Sequence, residues 1–315
     1  MRPALVVMVF SLVACGGTPQ SDADKADAPG PIQPEAISLD GRPLYRPDFD
    51  PRTDSALTAD WMSAASAYEA DPGQLEALIW LGRRTAYLWR YQDAVGIFSN
   101  GIAAHPDEPR LYRHRGHRLI TLRRFDAAIT DLEMAAALIR NRPDQVEPDG
   151  QPNSAGIPVS TLAFNVWYHL GLAYYLKGDY PAAIRAYEAC LEVSTNDDAR
   201  VSVYDWLYMS LMRNGDTGKA DALLGRVRSD MVLVESFSYH KRLLLYKGEL
   251  SEEDLVGGGA NALDVVTQGY GLAFWHDIHG RRRQAESWID SVLASGYWPA
   301  FGYIAAESDR NRRIF

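Results

Sequence analysis

WYHLGLAYYLKGDYPAAIRAYEAC, residues 167–190, decides the fold. Trp167, Leu170, Gly171 and Tyr174 stand at the spacing W-x2-L-G-x2-Y, and Tyr187 follows Ala183 after three residues. Lys177-Gly178 marks a turn between two helices, five residues before Ala183. The small residues Gly171 and Ala183 let those helices approach closely, while Trp167, Tyr174 and Tyr187 fill the space between this pair and the next. One such pair cannot bury its face alone, so several must stack.

The same pattern recurs on either side. Gly82 and Gly116 are 34 residues apart, as are Ala94 and Ala128, Phe98 and Leu132, and Pro72 and Pro106. One copy has Leu81-Gly82, Ala94-x3-Phe98 and Pro106; the next has Gly116, Ala128-x3-Leu132 and Ala135. Two degraded copies follow, Trp206 to Gly215 with Ala220-x3-Leu224, and Gly271 to Gly280 with Ala285-x3-Ile289. Each keeps the inter-helix glycine five residues before the alanine. A half repeat, Asp60 to Ala70, precedes the array with Ala67 and Pro72 in phase.

This pattern resembles the tetratricopeptide repeat, a helix-turn-helix unit with the signature W-x2-L-G-x2-Y, A-x3-F and P. The resemblance implies an all-α solenoid of antiparallel helix pairs over residues 41–315, with repeats at about 75–108, 109–142, 164–197, 201–234 and 266–299. The insertion at 143–163 carries prolines and an Asp149-Gly150 turn signal, so it is not helical throughout. It is either a mobile linker or an ordered lobe with Ile157 and Val159 packed down, narrowing one end of the groove. Ser236 to Lys247 reads as a helix, Gly257 to Gly259 as a flexible turn, and Trp298 to Arg313 as a short terminal capping helix, polar towards its end.

The N-terminus is a processing signal. Arg2 precedes an apolar run, Ala4 to Val13, too short to span a bilayer. It ends in Leu12-Val13-Ala14-Cys15, which resembles the lipobox of bacterial lipoproteins. That resemblance implies a signal peptide over 1–14, diacylation of Cys15 and an envelope location. Gly16 after the cysteine favours the outer membrane, facing the periplasm. Residues 15–40 are rich in Gly, Pro, Asp and Ala and read as a tether.

The 315-residue chain carries a net charge of −9 and 47% hydrophobic residues, which suits a globular protein and argues against non-specific nucleic-acid binding. With Cys15 modified, Cys190 is left as one thiol and no intrachain disulfide forms; it occupies a small-residue core position. No G-x-S-x-G, Walker or H-E-x-x-H motif occurs, so no catalytic residue, metal or cofactor is assigned and the chain reads as a non-enzyme. His114 and His117, and likewise His276 and His279, are spaced i, i+3 but lack a third ligand, and read as helix-surface histidines.

In the repeat family, first-helix residues line a concave groove. Position by position the resemblance assigns to it Arg83, Tyr87, Arg110, Arg113, His117, Asn165, Tyr168 and Tyr175, and less securely Asp205. Arginine forks suit carboxylates, so a protein or peptide partner with an acidic segment or a C-terminal carboxylate is expected. The alternative for Arg110 to Arg124 is a solvated helix face. The leading function is an envelope scaffold or adaptor. The alternatives are a glycan- or solute-binding lipoprotein of an uptake system, or an enzyme with its site near the insertion.

Overall fold

The computed structural model describes residues 33 to 256 and 262 to 314. The signal peptide, Cys15, the tether up to residue 32 and the Gly257–Gly259 turn lie outside the described residues.

The described chain is an all-α solenoid of the tetratricopeptide-repeat type. It opens with a two-stranded antiparallel hairpin, β1 (Ala36–Ile37) and β2 (Pro43–Leu44). Its first strand falls in the stretch expected to be tether, where Ala36 is buried, as is Leu44 of the second strand. The unpaired α1 (Pro51–Ala70) begins at an Asp50 cap, whose carboxylate accepts from the amides of Arg52 and Thr53. Antiparallel pairs follow: α2 (Leu75–Tyr87) with α3 (Tyr91–Ala104), α4 (Pro109–Thr121) with α5 (Phe125–Ile139), α6 (Leu162–Lys177) with α7 (Tyr180–Val193), and α8 (Asp197–Asn214) with α9 (Thr217–Leu224). Beyond them come α10 (Phe237–Lys247) with the short α11 (Glu252–Val256), α12 (Ala262–Ile278) with α13 (Arg282–Ala294), and α14 (Phe301–Asn311). The first helices α2, α4, α6, α8, α10 and α12 touch in series and form the inner row.

Within each well-formed pair the glycine of one helix receives the large residue of its partner. A Cβ on Gly82 would lie 2.5 Å from the Phe98 ring, one on Gly116 2.8 Å from Leu132, and one on Gly171 2.7 Å from the Tyr187 ring. Ala94, Ala128, Ala183, Ala220 and Ala285 are all 0% exposed. Such close approach leaves no volume for an added methyl. In the degraded last copy the hollow at Gly271 is filled by the Arg242 side chain of α10 instead.

The turns inside the pairs separate the copies. Gly178, Gly215 and Gly280 adopt the left-handed conformation at φ 88°, 83° and 70°. The equivalent positions in the first two copies are Trp89 and Arg123, at φ 58° and 61°. A side chain there is strained by ~1–2 kcal/mol. Both side chains reach the far end of the chain. The Trp89 ring lies 5.3 Å from that of Trp298 and 5.5 Å from that of Tyr297. Arg123 donates to Glu307 at 2.6 Å and to the Trp298 carbonyl at 3.0 Å.

The terminal helix α14 packs on α12 and α13 and also reaches α6. Its polar end is not solvated as expected: Glu307 is 3% exposed and Asp309 0%. Glu307 also accepts from the Leu39 amide, and Asp309 from Tyr270 at 2.9 Å and Arg213 at 3.4 Å. Burial of these carboxylates is offset by those partners. Trp298 Nε1 donates to the Tyr45 carbonyl at 2.8 Å, so the N-terminal hairpin, the first two pairs and the C-terminal segment are joined.

The insertion is an ordered lobe. Val146 bridges Thr161 antiparallel, and the Glu147 amide donates to the Ser160 carbonyl at 3.2 Å. Val159 is half-buried, but Ile157 is 53% exposed and does not pack down; the lobe is held by Asn153, which accepts from the Ala155 and Ile157 amides and donates to the Ile157 carbonyl. Among the described residues no helix is long and apolar enough to cross a membrane.

Candidate binding site

A cavity of about 330 Å³ opens on the concave side. Six of the eight groove residues read from the sequence meet in it: Arg83 and Tyr87 of α2, Arg113 and His117 of α4, Asn165 and Tyr168 of α6. Each helix contributes residues three or four apart, which share one face. The insertion walls one side through Glu147 and Ser160, α10 another through Tyr239, and Phe301 of α14 forms part of the floor.

Arg110 and Tyr175 are not brought to this cavity. Arg110 pairs with Glu76 at 2.7 Å and Glu108 at 2.8 Å, towards the solvent edge. Tyr175 is 0% exposed, with its hydroxyl 2.6 Å from that of Tyr270, because α12 and α14 close over it. Asp205 is fully buried beside Arg242, 3.0 Å away. The Arg110–Arg124 stretch is no uniformly solvated face, since Arg113 and Arg123 are buried.

His114 and His117 are not surface histidines. With His169 they form a cluster against the arginines, and His114 is 2% exposed and stacked on Phe98. Hydrogen bonding sets their tautomers. Arg113 donates to His114 Nδ1 at 2.8 Å, so His114 carries its proton on Nε2, 3.3 Å from Glu147. Arg118 likewise donates to His117 Nδ1 at 2.8 Å. His169 Nδ1 lies 2.6 Å from the Asn165 carbonyl, so there the proton is on Nδ1. Burial, reinforced by the neighbouring arginines, holds all three imidazoles well below their usual pKa, and they are neutral. The second pair sits elsewhere: His276 Nε2 lies 3.2 Å from Glu252, and His279 Nδ1 2.7 Å from the Trp275 carbonyl.

The three arginines of the cavity are unevenly paired. Arg113 lies 3.2 Å from Glu147, its Nε has no partner, and burial pulls its pKa down to about 10. Glu147 is in turn shared with Asn165, which donates to it at 2.9 Å. Arg83 lies over Trp80 at 4.4 Å and near the Tyr87 hydroxyl at 3.5 Å. Arg118 lies over Tyr91 at 5.8 Å. Among the described residues neither Arg83 nor Arg118 has a carboxylate in ion-pair contact. Asp149, Asp198 and Glu235 also line this cavity, and of its carboxylates only Glu147 is in ion-pair contact with one of the three guanidinium groups.

Tyr168 sits at the junction. It accepts from Trp206 Nε1 at 2.9 Å and shares a 3.1 Å hydrogen bond with Tyr239. Beyond it lies a second compartment of about 400 Å³, which shares His117, Glu235, Ser236, Tyr239 and Phe301 with the first. His114, Arg118, His169, Glu147, Tyr239 and Phe301 were not assigned from the sequence. His114 and Arg118 carried a signal, one residue from assigned positions on the same helix; Glu147, Tyr239 and Phe301 lie outside the well-formed repeats and carried none.

Residues 164–197 match the tetratricopeptide repeat family model. No curated protein matches the chain. Among solved structures, a tetratricopeptide repeat protein from Parabacteroides merdae is 16% identical, covering 78% of this chain and 88% of that one at a TM-score of 0.46. PilF of Pseudomonas aeruginosa is 16% identical, covering 77% and 93% at 0.41. The MamA protein is 18% identical, covering 63% and 88% at 0.42.

Proposed function

We propose that this chain is a protein-interaction scaffold of the bacterial cell envelope, lipid-anchored through Cys15, that grips an acidic or carboxylate-bearing segment of a partner in the concave cavity. The carrying observation is the arginine wall, in which Arg83 and Arg118 lack a carboxylate contact among the described residues. Guanidinium groups on a cavity wall that lack an ion-pair partner favour an anionic ligand over a neutral one. The anchor rests on the sequence around Cys15, where two or three acyl chains hold firmly at ~0.8 kcal/mol per buried methylene.

The test is affinity capture from solubilised envelope with the native chain and an Arg83→Gln/Arg118→Gln variant, with mass spectrometry of the bound proteins. A partner held equally by both refutes the cavity as the binding site. Metabolic labelling with palmitate tests the anchor: label that persists in Cys15→Ser overturns it. A second reading, a solute-binding lipoprotein, is favoured by one feature, the closure of the concave face by the chain's own C-terminal segment, which leaves compact compartments in place of an open groove.

A further inference from the structure

The two compartments differ in chemistry. The first is bounded by Arg83, Arg113 and Arg118. The second is lined by the rings of Tyr239, Tyr297, Phe301, Trp89 and Trp206. Tyr239, Tyr297 and Phe301 are only half-buried, so their rings keep accessible surface. The two meet at His117, Glu235, Ser236, Tyr239 and Phe301. Arg118 bridges them, lining the first compartment while its guanidinium stacks at 5.8 Å on Tyr91, which lines the second.

We propose that the group received here is an aryl carboxylate, its carboxylate against the Arg83–Arg113–Arg118 wall and its ring among the aromatic side chains beyond His117 and Phe301. The proposal rests on the cavity being the binding site of the proposed function, and adds the chemistry that selects the ligand.

Three features support it. The anion and ring subsites are adjacent, with lining residues in common. The first turn of the eleven-residue α14 opens on the second compartment at Ala300, Phe301 and Gly302 without a side-chain cap. That helix end adds positive potential where Phe301 borders both compartments, and the buried, unpartnered Arg113 Nε points to the same ligand charge. The clasp of Trp89 and Arg123 on the 297–307 segment brings Tyr297 and Phe301 to the concave face and divides it into compartments that suit a chain end or a small molecule. The other lining carboxylates are held by their own donors: Glu235, which borders both compartments, accepts from Asn153 at 2.8 Å, Asp198 of the first from the Ser236 amide at 2.8 Å, Asp149 of the first from the Gln151 amide at 3.0 Å, and Asp264 of the second from Ser238 at 2.7 Å. Aromatic ligands gain here from edge-to-face and offset stacking.

Two sources share this chemistry, a partner's C-terminal aromatic residue and a free aryl acid. Isothermal titration calorimetry of the full chain in detergent separates them with five probes: acetyl-Gly-Ser-Gly-Phe, its C-terminal amide, acetyl-Gly-Ser-Gly-Ala, N-acetylphenylalanine, and the internally acidic acetyl-Gly-Asp-Glu-Gly-amide. The phenylalanine acid is expected to bind at least tenfold more tightly than both its amide and the alanine peptide. Arg83→Gln is expected to weaken it at least tenfold with the thermal midpoint held. Tyr239→Leu is expected to shrink the gap between the phenylalanine and alanine peptides. N-acetylphenylalanine binding within tenfold of the tetrapeptide assigns the site to a free acid, and weaker binding assigns it to a chain end; both keep the aryl carboxylate. Equal binding of the amide or of the alanine peptide overturns the inference. Binding of the internally acidic peptide without the phenylalanine acid overturns it while the proposed function stands. Binding of no anionic probe removes both.

Discussion

Arg123→Ala is expected to destabilise the protein by ~3–5 kcal/mol, the cost of breaking one side of a buried ion pair. Arg123 and Glu307 are 9% and 3% exposed, and their nitrogen and oxygen lie 2.6 Å apart. Truncation leaves Glu307 charged in the interior and removes the donors to the Thr121 and Trp298 carbonyls. The backbone supplies an internal control. Arg123 sits at φ 61°, where any Cβ is strained by ~1–2 kcal/mol, and alanine keeps that strain while glycine relieves it. Arg123→Gly is therefore expected to be more stable than Arg123→Ala by ~1 kcal/mol, the reverse of their order in a helix. Replacing both partners by apolar residues, Arg123→Met with Glu307→Leu, is expected to recover most of the loss. Urea unfolding followed by far-ultraviolet circular dichroism measures all four proteins. A loss below ~1 kcal/mol in the alanine variant, or a glycine variant no more stable than it, would refute the reasoning, which rests on buried-pair energetics and the left-handed backbone.

Gly82→Ala and Gly96→Ala should shift stability in opposite directions. The first sets a methyl 2.5 Å from the Phe98 ring, for which overpacking costs ~1–3 kcal/mol, whereas the second meets nothing within 4 Å and gains up to ~1 kcal/mol of helix propensity. Stability should fall as pH drops below about 6.5, because His114, His117 and His169 stay neutral in the fold while the unfolded chain takes up protons first. With three protons the slope approaches ~4 kcal/mol per pH unit; a urea midpoint unchanged between pH 7 and 5.5 contradicts this. Asp198→Ala should cost ~3 kcal/mol and loosen the Tyr239 wall, since its carboxylate accepts from the amides of Val234, Glu235 and Ser236 at 2.9, 2.9 and 2.8 Å. Hydrogen exchange at those amides reports the loosening directly.

The sequence by itself determined the helix pairs. Gly82, Gly116 and Gly171 and their partners Phe98, Leu132 and Tyr187 lie within one 34-residue unit, so small-against-large complementarity is a local signal repeated in phase. The resemblance to the repeat family named eight groove residues, six of which line one cavity, and on each helix these share a face because residues three or four apart point the same way. Trp89 and Arg123 were visible as departures, standing where later copies have glycine, but the departure did not say what they hold. Their partners at Trp298 and Glu307 lie well over a hundred residues away, and only the tertiary structure brings them together. For the same reason Glu307 and Asp309 read as a solvated helix end. A carboxylate is buried only where an arginine or hydroxyl meets it, and Arg123, Arg213 and Tyr270 are supplied by three other helix pairs. The division of the concave face into compartments is thus a property of contacts between the two ends of the array, which periodicity cannot encode because each repeat specifies its neighbours and not its distance from the end.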